Sequence, residues 1–96
     1  MNRMGVFAIY DSKAEAFLQP WFSPTKATAI RSFSQAANEE TSDFNRFAED
    51  YTLFEIGSWE PASGVLVMSE AKVPLGTALE FRNNGEVREF APVRSE

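Results

Sequence analysis

Any chemistry this chain performs has to come from carboxylates, hydroxyls and amines, because it contains neither histidine nor cysteine. The usual general base, the thiolate nucleophile, the disulfide and the common transition-metal ligands are therefore all missing. A nucleophile would need a Ser or Thr beside a Lys, or a pair of carboxylates. Asp11, Ser12 and Lys13 lie together, but adjacent residues in a turn do not converge on a substrate, and Asp and Ser are what turns select. Glu39-Glu40 and Glu49-Asp50 are carboxylate pairs in sequence only, of the kind that solvated connections carry. Oxygen ligands with the spacing of a calcium loop are absent, as are the glycine-rich loops that cradle phosphates. The expectation is a protein with no catalytic residues, no metal and no cofactor.

Binding is the next chemistry to weigh. Fourteen acidic residues against nine basic ones give a net charge of −5, so the average surface repels phosphate. The candidate nucleic-acid contacts are Lys13 in the first turn and Lys26 and Arg31 in a helical segment. Arg82, Arg88 and Arg94 alternate with Glu80, Glu86 and Glu89. Tyr10, Trp21, Phe22 and Trp59 could stack on bases if they stand exposed on a sheet. Nothing has the form of an RNP motif or a helix-turn-helix. At most, weak and salt-sensitive contact with single strands is expected.

These residues must be positioned by a small number of elements. Ninety-six residues with 44% hydrophobic and 14% aromatic content, nine of them Phe, make one domain with one core. No segment approaches the apolar length of a membrane span, and the N-terminus lacks the apolar run of a signal peptide. The full-length helix is expected over residues 23–38, with Ser23 as N-cap, Pro24 at the first helical position and Asn38 closing it in the left-handed conformation. Ala27, Ile30, Phe33 and Ala37 would form its buried stripe. Met-Gly-Val-Phe-Ala-Ile-Tyr at 4–10 reads as a strand buried on both faces. Residues 14–22 return as a second strand, at an edge or ending at Pro20, which cannot donate to a ladder.

Asp43 would cap a short helical turn, with Phe44 and Phe47 pinning it to the core. Residues 51–59 form the second strong strand, with Tyr51, Leu53 and Trp59 on one side and Phe54 and Ile56 on the other. Pro-Ala-Ser-Gly at 61–64 is a turn, and Val-Leu-Val-Met at 65–68 is the return strand. The expected fold is α+β: a small antiparallel sheet of about four strands, β-β-α-β-β, packed on one helix. Its core spans about residues 4–69 of a single domain over 1–96, with a C-terminal extension over about 70–96. In that extension, residues 75–81 can form a short strand or a turn. Asn83-Asn84-Gly85 is a tight-turn signal, and 86–90 can pair back onto 78–82 as a third hairpin.

One narrow helix covers one face of such a sheet and no more. The strands do not alternate between apolar and polar as a half-solvated antiparallel sheet would, so the second face has to meet the tail, another subunit or another protein. The expected solution is a homodimer, with Tyr10, Leu53 and Trp59 at its interface.

Several of these residues together resemble a family. Phe7-Ala-Ile-Tyr-Asp-Ser-Lys-Ala14, Phe17, Pro20-Trp-Phe22, the helical Ala29-Ile-Arg-Ser-Phe33 and Asp50-Tyr-Thr-Leu-Phe-Glu-Ile-Gly57 follow one another as in the small non-structural protein of gokushovirus-type microviruses, bacteriophages with single-stranded DNA genomes. The likeness covers about residues 6 to 66. Where that family often has an Asp-rich turn after the Ile-Gly, this chain has Trp59-Glu-Pro-Ala-Ser-Gly64. The resemblance implies a phage-encoded accessory protein of the host bacterial cytoplasm that supports single-stranded DNA replication or genome packaging. Its partners would be phage replication or packaging proteins and, weakly, single-stranded DNA. It carries over Lys13, Arg31 and the aromatic framework. The alternative is a structural or scaffolding protein that assembles or decorates the particle.

Overall fold

A computed structural model describes residues 3–82. Its centre is β1 (Met4–Asp11), the apolar run expected to be buried on both sides, and Val6, Phe7, Ala8 and Ile9 are indeed all buried. On one flank, β1 pairs antiparallel with β2 (Ala16–Phe17) and β3 (Trp21–Ser23), and on the other with β4 (Tyr51–Glu60). β5 (Val65–Thr77) pairs with β4 and closes the order β2-β1-β4-β5, with β3 continuing the β2 side. Between β3 and β4 the chain forms α1 (Lys26–Ala37), α2 (Asp43–Arg46) and a 3₁₀ turn at Ala48–Asp50.

The single return strand expected over 14–22 is two strands. Tyr10 pairs with Phe17, but Val6 pairs with Phe22, so the return segment carries one extra residue across Leu18-Gln19-Pro20. Proline supplies no N–H for the ladder, and the strand breaks there.

The helix starts later than its sequence signals suggest. Ser23 remains in β3 opposite Gly5, leaving Pro24 ahead of the cap. Thr25 is the N-cap: its hydroxyl accepts from the Thr28 N–H at 3.1 Å, while the Thr25 N–H donates to the Thr28 hydroxyl at 3.2 Å. This reciprocal pair satisfies two end groups at once, which a lone Ser23 cap would not. Ala29, Phe33 and Ala37 are buried at four-residue steps with Ile30 beside them, whereas Ala27 is exposed. Asn38 closes the helix at φ −97°, not left-handed, and its Nδ2 donates to the Ser34 carbonyl at 2.8 Å. Ser42, one residue before Asp43, caps α2. Phe44 packs edge-on against Phe33 and Tyr51, but Phe47 is 53% exposed and pins nothing.

After β4, Pro-Ala-Ser-Gly turns as expected. Gly64 adopts φ +75° and its N–H donates to the Glu60 carbonyl at 2.7 Å. The strand that follows runs thirteen residues, far beyond the expected 65–68. It holds close to β4 because Gly57 has no Cβ; one added there would lie 2.5 Å from the Val67 carbonyl oxygen.

Residues 78–82 are helical, which removes them as strand partners for a third hairpin; Asn83-Asn84-Gly85 and 86–90 lie outside the described residues. The cause is a second capping box. The Thr77 N–H donates to Glu80 Oε1 at 3.1 Å, and the Glu80 N–H donates to the Thr77 hydroxyl at 3.2 Å. Phe81 then packs edge-on against Phe33, and Arg82 Nη1 donates to the Asn45 carbonyl at 2.7 Å. One face of the sheet is thus covered by α1, α2 and the helical turn at 78–82, over a core of Phe7, Ile9, Phe33, Leu53 and Ala78.

Candidate interaction surface

The opposite face of the sheet is built differently. Its floor is a second buried cluster of Val6, Ala8 and Ile56, with Phe54 and Trp59 packed against it. Among the described residues, no helical side chain joins this cluster. Aromatic rings stand over the floor instead. Tyr10 meets Phe17 at 5.0 Å between ring centroids, Phe17 meets Phe54 at 5.5 Å, and Phe22 meets Trp59 at 5.3 Å, all edge-to-face. Cross-strand partners share a face, so Leu66 opposite Trp59 and Met68 opposite Gly57 extend the surface onto β5. Phe17 and Phe22 are about 40% exposed, and Leu66 and Met68 about half. This is the candidate interaction surface.

Two register changes create this arrangement. In β4, Val6 opposes Gly57 while Phe7 opposes Glu55, leaving Ile56 as an extra residue. Such a bulge resets which side chains share a face. It moves Trp59 away from Tyr51 and Leu53, with which simple alternation groups it, and onto the face of Phe54 and Ile56. The break at Pro20 does the same for Phe17 and Phe22, which are five residues apart and would otherwise point to opposite sides. Phe17 is not among the residues expected at a surface, and Phe22 is expected there only as a stacking ring; Pro20 is the one signal in the sequence that suggests their shared face.

Of the three expected interface residues, Tyr10 and Trp59 lie on this face, which no helix covers among the described residues. Leu53 does not: it is 0% exposed beneath α1 and has no surface to offer a partner.

The three candidate cations are not brought together. Lys13 follows the Asp11 end of β1, in a turn whose backbone N–H groups at 13 and 14 both donate to Asp11 Oδ1. Lys26 begins α1, just after Ser23, which pairs near the other end of β1. Its Nζ lies 3.9 Å from Glu55 Oε1. Arg31 is exposed further along α1. Lys26 and Arg31 belong to the helical layer, on the opposite side of the sheet from the rings. Asp11, beside this turn, is the register partner of Tyr51; burial first, and then the charges of Asp11, Asp43 and Asp50, raise the Tyr51 phenol above its ordinary pKa.

Among the described residues, no group of three or more Asp or Glu side chains is placed to hold a metal ion. No helix among them is long and apolar enough to cross a membrane.

The chain finds no match among curated proteins or solved structures. A family model described as Phage ORF5 protein matches residues 4–81, from the first residue of β1 into the helical turn at 78–82. The matched stretch contains both faces of the sheet and the whole helical layer up to that turn, and the chain belongs to the Phage ORF5 protein family.

Proposed function

We propose that this phage protein is a non-enzymatic accessory protein of a microvirus. In this reading it serves single-stranded DNA replication or genome packaging in the host bacterial cytoplasm, by binding other proteins through the aromatic face. The observation that carries the reading is that face itself: rings of Tyr10, Phe17, Phe22 and Trp59 over a buried aliphatic floor. Large aromatic side chains supply most of the energy at protein–protein contacts. A surface for single-stranded nucleic acid combines such rings with a basic groove along the backbone. Here the candidate cations Lys26 and Arg31 lie on the other side of the sheet, and the chain carries net charge −5. DNA contact is accordingly weak and secondary in this reading. The link to single-stranded DNA phages comes from the sequence resemblance over residues 6 to 66.

Affinity capture from infected cells tests the proposal. The parent protein is expected to retain phage replication or packaging proteins after nuclease treatment, and the Phe17→Ser/Phe22→Ser variant is expected to lose them. Equal retention by the variant, or capture that disappears with nuclease, would overturn it. Stoichiometric recovery of the chain in purified virions would favour the scaffolding alternative.

A further inference from the structure

β5 is the outermost strand on the side away from β2 and β3, so its far edge has no strand beside it among the described residues. It is also the strand with the most exposed apolar side chains: Val65, Leu66, Val67, Met68 and Val73 are all between 44% and 55% exposed. These apolar side chains flank a polar centre at 69–72, and an edge strand with no neighbour is a template for another strand. At its middle, β4 advances from Glu55 to Gly57 while β5 crosses from Val73 to Met68. Residues 69–72 therefore bulge opposite Ile56 without a cross-strand partner in β4.

We infer that β5 pairs antiparallel with β5 of a second copy of this chain, about a two-fold axis at Ala71. The residue pattern selects both the occupant and the register. Directly opposed residues in an antiparallel pair share a face, so the axis of a symmetric pair has to pass through a residue position. Centred on Ala71, Glu70 stands opposite Lys72 of the second copy, and Lys72 opposite its Glu70. One short sequence, Glu-Ala-Lys, supplies both partners of two ion pairs, with a small residue on the axis. Met68 then opposes Pro74, and Val67 opposes Leu75. Pro74 withholds one donor on each side, as a proline in an edge strand does. The axis stands perpendicular to the sheet, so the aromatic faces of both copies lie on the same side of one continuous sheet. The pairing thus goes beyond the proposed partner contact, which uses the face and not the edge.

Sedimentation of the purified protein at micromolar concentration tests the pairing without any partner, so its failure is separate from failure of the partner reading. The parent is expected to sediment at twice the 10.8 kDa chain mass. Glu70→Lys alone, or Lys72→Glu alone, places like charges opposite each other and is expected to weaken the dimer by about tenfold or more. Both side chains are exposed, so the fold is not at risk. An equimolar mixture of the two single variants, and the double variant E70K/K72E, should each restore the dimer. A parent that sediments as one chain, or single variants that dimerise as well as the parent, would overturn the inference.

Discussion

Replacing Phe33 with Ala is expected to cost about 3–5 kcal/mol, the range for emptying a buried Phe site. Phe33 is 2% exposed and stands between two rings, Phe44 and Phe81, each 5.7 Å away and edge-on. Its neighbours along the buried stripe of α1, Ala29 and Ala37, are too small to fill the space left behind. The cavity therefore persists, and a persistent cavity lies at the costly end of the range. Domains are stable by about 5–15 kcal/mol in all, and a chain of this size buries a smaller share of its surface than larger ones do. A thermal melt should show a fall of at least about 12 °C, taking about 4 °C per kcal/mol for a domain of this length. A melt within a couple of degrees of the parent would mean that the α1 stripe does not face the sheet.

Leu53→Ala is expected to be almost as damaging, at about 2–5 kcal/mol, and its concentration dependence is informative. Leu53 has no exposed surface and belongs to the cluster beneath α1. If it lay at a subunit interface, as alternation along β4 suggests, its truncation would dissociate a folded chain. The structure instead places it where truncation lowers the melting temperature at every protein concentration. Circular dichroism melts over a hundredfold concentration range separate the two: a folded, dissociated variant would return Leu53 to an interface.

The contrast between Leu53 and Trp59 shows what the sequence could and could not reveal. β1, α1, β4 and the turn at 61–64 were legible because their signals are local: apolar runs, helical spacing, and proline and glycine in a turn. The alternation of β4 was read without its bulge, because Ile56 becomes an extra residue only by virtue of what it faces in β1. The pairing of Phe17 with Phe22 on one face depends in the same way on register, shifted across Pro20. β5 extends past 68 because β4 holds Val73, Pro74, Gly76 and Thr77, although residues 69–77 carry little strand signal of their own. Two caps were local and still went unrecognised: Thr25 with Thr28, and Thr77 with Glu80.

The site divides similarly. That aromatic residues exceed what one helix can cover follows from composition and strand patterning; of the four rings expected to stand exposed, Tyr10, Phe22 and Trp59 lie on this face and Trp21 packs on the helical side. That Lys13, Lys26 and Arg31 would not converge was not legible, because their separation is set by the return of the chain through β3 and α1.

The aromatic face is held to serve binding and not folding, and phage growth is the direct test of that division. A phage carrying Phe17→Ser/Phe22→Ser should make a protein with the circular dichroism spectrum and cooperative melt of the parent, yet yield markedly fewer progeny in a single growth cycle. Undiminished yield with the variant protein folded would contradict a binding role for the face. A variant that fails to fold would show instead that these rings belong to the core.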